Sequence, residues 1–156
     1  YLVVVLCLST GARKMEILGL KWKDVNLERK VITLHETKNG ERRLLPLAGH
    51  ALELMKEHAK SKDIKSGLVF PANNKNRPSG IRSAWKKALK QAEISDFRFH
   101  DLRHSAASYL AMNGASMAEI AEVLGHKTLN MVKRYAHLSE AHTAKVVESM
   151  NWKIFG

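Results

Sequence analysis

Within FRFHDLRHSAASYL, residues 97–110, a histidine, an aspartate, an arginine and a second histidine occupy positions 100, 101, 103 and 104. On a helix, His100 and Arg103 are neighbours at i, i+3, and His104 and Ala107 share roughly their side. Leu102, Ala106, Tyr109 and Leu110 fall opposite. Small Ala107 lets a ligand come close, and Asp101 suits the positive end of the helix. An arginine and a histidine beside free backbone N–H groups make an anion site, best matched to a phosphate. A solvated polar face with a capping histidine accounts for the same residues, and the stretch alone leaves both readings open.

Three other places bear on the choice. Arg13 opens a helix after Thr10-Gly11-Ala12, Lys38 sits at a predicted hairpin tip, and LGHKTLNMVKRYAHL places His126 after a helix-ending glycine with Tyr135 nine residues later. Each has a plainer explanation: a charged turn for Lys38, a satisfied turn histidine for His126, a core aromatic for Tyr135. Zinc-protease, thiolate-metal and nucleotide motifs are missing. There is no H-E-x-x-H, the single cysteine offers no thiolate pair, the fifteen acids show no paired carboxylates, and no phosphate-binding G-x-x-x-x-G-K-[ST] loop occurs. No cofactor and no metal are therefore expected. Two arginines, a lysine, two histidines and a tyrosine suit attack on a phosphodiester by a side-chain hydroxyl, with cations stabilising the charge.

The balance of charge agrees. Lys plus Arg number 26 against 15 acids in 156 residues, a net +11, which points to a polyanionic partner, nucleic acid before an anionic membrane surface. Only 6% of the residues are aromatic, too few for the stacking platforms of single-stranded RNA binders. The lone Cys7 argues for a reducing compartment, and a cytoplasmic location is expected. The run YLVVVLCL is too short to span a membrane and has neither basic flank nor cleavage site.

The elements that must position these side chains follow from pattern and punctuation. A core helix ends at Ser9-Thr10-Gly11, and a short helix follows over 12–20, with Arg13 and Glu16 one turn apart. Strands over 31–35 and 43–47 flank Lys38-Asn39-Gly40, and Asn-Gly is a strong hairpin signal. Residues 22–27 add a third short strand, and 48–60 read as a helix with Leu52, Met55 and Ala59 inward. A loop over 61–80 carries the apolar anchor Leu68-Val69-Phe70, and a basic helix spans 80–93. Helices then span 100–113, 117–124, 129–137 and 140–150. Gly114 ends the first, Ser116 and Glu119 form a capping box for the second with Gly125 at its end, and Thr128 caps the third. The fold class is mainly α with a small antiparallel sheet (α+β), in one domain.

At this point the chain resembles the tyrosine recombinases, the phage-type integrases, over essentially its whole length. The motifs are TGARKMEILGLKWKDV at 10–25, TKNGERRLLPL at 37–47, HDLRHSAASYLAMNG at 100–114 and LGHKTLNMVKRYAHL at 124–138. The resemblance implies the fold of a DNA breaking-rejoining catalytic domain across 1–156, with the family's N-terminal core-binding domain absent from a chain that reads as a piece of a longer protein. It implies Arg13, Lys38, His100, Arg103 and His126 around the phosphate, Tyr135 as nucleophile and Glu16 as support for Arg13. Val132 stands where the family often has a small hydroxyl residue. No cofactor is implied. Double-stranded DNA is the implied partner, held along its backbone by Arg82, Lys86, Lys87, Lys90 and Lys133. The strip LSEAHTAKVVESMNW, 138–152, would dock onto a neighbouring subunit of a tetramer, or pack on its own core.

The implied activity is site-specific, metal-independent strand cleavage and rejoining through a 3′-phosphotyrosyl link, in a bacterial or phage-encoded protein. Two rivals share the residues. A type IB topoisomerase-like enzyme uses the same chemistry on one DNA, and a binding module would keep the charge without the reaction.

Overall fold

A computed structural model describes residues 1–35, 42–61, 67–72 and 78–156. Helices α1 (Leu2–Thr10) and α2 (Lys14–Leu18) are followed by a 3₁₀ turn at Trp22–Asp24 and three strands, β1 (Val25–Asn26), β2 (Val31–Leu34) and β3 (Arg43–Pro46). Helices α3 (Gly49–Lys60), α4 (Arg82–Gln91), α5 (Asp101–Met112) and α6 (Met117–Leu124) come next. Two 3₁₀ segments, Leu129–Met131 and Lys133–Ser139, lead into α7 (Glu140–Phe155). The mainly helical fold with a small antiparallel sheet is as the sequence indicates.

The sheet runs β1-β2-β3, antiparallel throughout. Ile32 pairs with Leu45 and Leu34 with Arg43, and all four are buried. The period of two along β3 therefore sends Arg43 inward with Leu45 and Leu47, while Leu44 faces out. The predicted third strand at 22–27 keeps only Val25 and Asn26 in the ladder, because residues 22–24 coil tightly to bury Trp22. The anchor at 68–70 docks as expected: Val69 N–H donates to the Leu20 carbonyl at 2.8 Å, and Phe70 stacks on His58.

Two hydrophobic cores result. Residues of α1, α2, the sheet and α3 form one, with Ile17, Ile32, Leu45 and Met55 at its centre. Parts of α5, α6 and the segment around Val132 and Tyr135 form the other. Helix α5 belongs to both, giving Leu102 to the first and Ala107 and Ala111 to the second. That double burial corrects the single apolar face expected of α5. Tyr109, placed with Leu102, is 63% exposed, and Ala107, placed on the open side, is fully buried.

The α-helix predicted over 129–137 is instead two 3₁₀ segments. Residues three apart eclipse in that geometry, so Val132 and Tyr135 both enter the second core. Thr128 makes no side-chain cap, whereas Ser116 and Glu119 form the capping box expected of them. Helix α7 runs to Phe155, five residues past its predicted end. No helix among the described residues is long and apolar enough to cross a membrane.

Candidate active site

The candidate site lies at the seam between the two cores. Arg13 is the N-cap residue of α2, and its backbone is extended there. Glu16, one turn on, takes the Arg13 backbone N–H at 2.7 Å and its guanidinium at 2.8 Å. Arg43 Nη2 donates at 2.8 Å to Oε2 of the same carboxylate, the oxygen that also takes the Arg13 backbone N–H. Burial pushes the Glu16 carboxyl up, but the Arg13 backbone and side-chain bonds and the charge of Arg43 outweigh it, so its pKa lies below the ordinary range. The buttress expected of Glu16 is present, and it holds two arginines rather than one.

Arg103 is 4% exposed on α5. Its Nη1 donates to the Gly11 carbonyl at 2.6 Å and its Nη2 to the Leu124 carbonyl at 2.5 Å. Those carbonyls end α1 and α6, where the helix field favours a cation. Each terminal nitrogen spends one N–H this way and keeps a second. Burial, then the charges of Arg13 and Arg43, pull the guanidinium down to about 10, so it remains charged at neutral pH. Arg43 Nη1 also donates to the Leu124 carbonyl. Arg13, Glu16, Arg43, the Leu124 carbonyl and Arg103 thus form one continuous polar chain.

Glycine is required at two points along it. Gly11 has φ +62°, and a Cβ there would sit 2.5 Å from Leu124 Cδ2. Gly125 has φ +65°, and a Cβ there would collide with Arg43 Nη1.

His126 follows Gly125, its N–H bonded to the Ala121 carbonyl at 2.8 Å. Burial, then the charges of Arg103, Arg13, Arg43 and His104, pull its imidazole down to about 4. Its Nδ1 is buried with no partner among the described residues. A neutral ring with its proton on Nε2 fits that setting, since a bare buried nitrogen is less costly than an orphaned N–H.

His100 precedes α5, is largely exposed and makes no side-chain cap. The capping-histidine explanation therefore fails. Its pKa is lowered by burial, His104 and Arg103. Asp101 is taken up by Arg98, accepting from its backbone at 2.8 Å and its guanidinium at 3.0 Å.

Tyr135 is 6% exposed, and its ring packs in the second core. Its hydroxyl is not lost in that core: it lies 2.6 Å from His104 Nδ1. Burial raises the phenol's pKa, and Arg134 and Arg103 act against the rise.

Arg13, Arg103, His126 and Tyr135 are thereby brought together, and His100 joins through His104, whose ring meets it edge to face at 5.3 Å. His100 and His104 stand at the i, i+4 spacing that also serves metal pairs, but among the described residues no three His, Cys, Asp or Glu side chains gather. Lys38 lies outside the described residues. Arg82, Lys86, Lys87 and Lys90 are exposed along α4, and Lys133 is exposed beside Tyr135. Arg43 was not among the sequence candidates, although its parity with Leu45 and Leu47 along β3 marks it as inward. His104 was seen in the cluster at 100–104 but given no role, because its contact with Tyr135 is tertiary.

The comparisons with known proteins place the chain in a family. A model of the phage integrase family matches residues 1–142. The shufflon-specific DNA recombinase of Escherichia coli is 38% identical over 142 residues, 88% of this chain and 34% of that protein. The integrase of Salmonella phage P22 is 34% identical over 167 residues, 99% of this chain and 43% of that protein. The chain thus spans less than half the length of these two relatives. The catalytic domain of bacteriophage HP1 integrase superposes with a TM-score of 0.70 at 27% identity, covering 99% of this chain and 84% of that one. With the family model matched over nearly its whole length, the chain belongs to the phage integrase family.

Proposed function

We propose that residues 1–156 are the catalytic domain of a site-specific DNA recombinase that cuts and rejoins strands through Tyr135. The observation that carries this reading is the convergence of the Arg13–Glu16–Arg43–Arg103 chain with the Tyr135 hydroxyl at one seam. Two guanidiniums held by buried partners form a preorganised cradle for a phosphate. Arg13 and Arg103 grip the non-bridging oxygens and stabilise the extra charge of the pentacoordinate state. His126 donates a hydrogen bond to the same group. Tyr135 attacks the phosphorus in line, leaving a 3′-phosphotyrosyl link and a free 5′-hydroxyl, and Lys38 protonates the departing oxygen. A histidine takes the phenol's proton, a role the family resemblance gives to His100. The ester conserves the bond energy, so the 5′-hydroxyl of a partner strand reverses the step and exchanges strands.

Lys133 and the exposed cations of α4 lie against flanking DNA backbone. The protein acts as a tetramer on DNA, with α7 docked on a neighbouring subunit. Support for that comes from Val146, Val147, Met150, Trp152, Ile154 and Phe155, all exposed on α7.

The test is a trapping assay. A pool of duplexes with randomised sequence carries one 5′-bridging phosphorothiolate, whose thiolate leaving group cannot religate efficiently. The full-length protein is expected to give a covalent DNA adduct on a denaturing gel, and Tyr135→Phe none. An equal adduct from Tyr135→Phe, or none from the wild type, refutes the reading.

A further inference from the structure

We propose that His104 is a catalytic residue and accepts the proton of Tyr135 through Nδ1 as the phenol attacks. The inference rests on the recombinase reading above and assigns the proton to a residue which that reading does not use.

Among the described residues, His104 is the side chain hydrogen-bonded to the Tyr135 hydroxyl, at 2.6 Å from Nδ1. That distance is at the short end for a hydrogen bond to oxygen, and general-base catalysis requires this reach. His100 meets the ring of His104 rather than the phenol. The phenol needs the help, because burial moves its pKa up, away from neutrality.

Charged and titratable groups surround His104. Asp101, one turn earlier on α5, interacts electrostatically with it. His100 on α5 and His126 after α6 interact with it as well. The phosphodiester arriving between Arg13 and Arg103 brings a negative charge to the same seam during the reaction.

The step balances. The Oη–H bond of Tyr135 breaks and an Nδ1–H bond forms, turning a neutral His104 into an imidazolium. The freed oxygen pair forms the Oη–P bond, the P–O5′ bond breaks, and the 5′-oxygen takes a proton from Lys38. In religation the imidazolium returns its proton to the departing phenolate.

The phosphorothiolate pool isolates this half of the reaction, since a thiolate leaves without needing a proton. The readout is the single-turnover rate of adduct formation in the full-length protein. His104→Ala is expected to slow it about 100-fold, the lower end of general-base effects. His104→Asn places an amide where Nδ1 stood, keeps a hydrogen bond and accepts no proton, so it is expected to remain at least ~10-fold slow. Fluorinated tyrosine at position 135, a more acidic phenol that needs less help from a base, is expected to restore most of the lost rate in His104→Ala.

A wild-type rate in either variant overturns the proposal, as does the absence of rescue by the fluorinated phenol. A faster His104→Ala would make the contact a restraining latch instead. Failure of the wild type to form any adduct would sink the recombinase reading itself, which separates the two.

Discussion

Arg43 and Arg103 share one acceptor, the backbone carbonyl of Leu124, which closes α6 immediately before Gly125 and His126. One guanidinium comes from the sheet and one from the central helix. Their meeting point fixes the loop carrying His126, while Glu16 ties Arg43 to Arg13. Arg43 is 9% exposed, and removing one partner of a buried pair costs about 3 kcal/mol, because the other is left uncompensated. Arg43→Ala should therefore lower the urea-unfolding free energy by about that amount. Arg43→Lys should recover only part, since a single ammonium cannot reach Glu16 and Leu124 in the same fork geometry. Equal stability of Arg43→Ala and wild type would show that the chain of partners is not holding the seam.

Sequence reading went furthest where spacing within one element carries the information. Arg13 with Glu16, Ser116 with Glu119, and His100 with Arg103 each lie within a turn, and their local geometry was legible. The helical class and the small sheet were legible for the same reason. What failed depends on tertiary burial. Two-sided packing of α5 put Ala107 inside and left Tyr109 out, contrary to a one-face wheel. Arg43 lies 27 residues from Glu16 and 81 from Leu124, so nothing local links them. The 3₁₀ geometry around Tyr135 is imposed by the need of Val132 and Tyr135 to share a core, against a sequence with ordinary helical content.

The two glycines of the seam separate backbone strain from steric collision. Gly11, Gly125 and Gly67 all have φ between +62° and +65°, but a Cβ on Gly67 meets nothing within 4 Å. Alanine at Gly67 should cost only the left-handed strain, about 1 kcal/mol. Alanine at Gly11 adds a collision with Leu124, and at Gly125 one with Arg43, so each should cost at least ~1 kcal/mol more. Chemical denaturation of the three variants tests the order. Three equal losses would mean that the close approaches relax freely.

Acid should destabilise the protein through its depressed histidines. An unfolded histidine titrates near 6.5, whereas folded His126 sits at about 4 and His100 is lowered too. Between those values the unfolded chain binds protons that the folded chain refuses. Stability therefore falls as pH drops from about 6.5 toward about 4, and is unaffected by these groups above that window. Glu16 is shifted below its ordinary range, so its contribution is lost only at still lower pH, as its folded carboxylate protonates. His126→Gln should show a shallower decline in melting temperature between pH 6.5 and 4 than the wild type. Parallel curves would mean that His126 is not held neutral by its surroundings.

The exposed cations of α4 make a prediction that separates affinity from chemistry. None of the residues of α4 is buried, and Trp85 packs against an aromatic pair, Phe97 and Phe99. Among the described residues no acid pairs with Lys86, Lys87 or Lys90. If this face lies on DNA backbone, each lysine on a phosphate displaces one condensed counterion, which contributes about 0.9 to the slope of log affinity against log salt. The triple alanine variant should then bind duplex DNA more weakly at low salt, with a slope shallower by about 2 to 3. Once saturated with DNA, it should form the Tyr135 adduct at the wild-type rate, because these lysines lie outside the seam. Fluorescence anisotropy across a salt series measures the slope. An unchanged slope would place the DNA on another face of the molecule, whereas a normal slope with slowed adduct formation would implicate α4 in the chemistry.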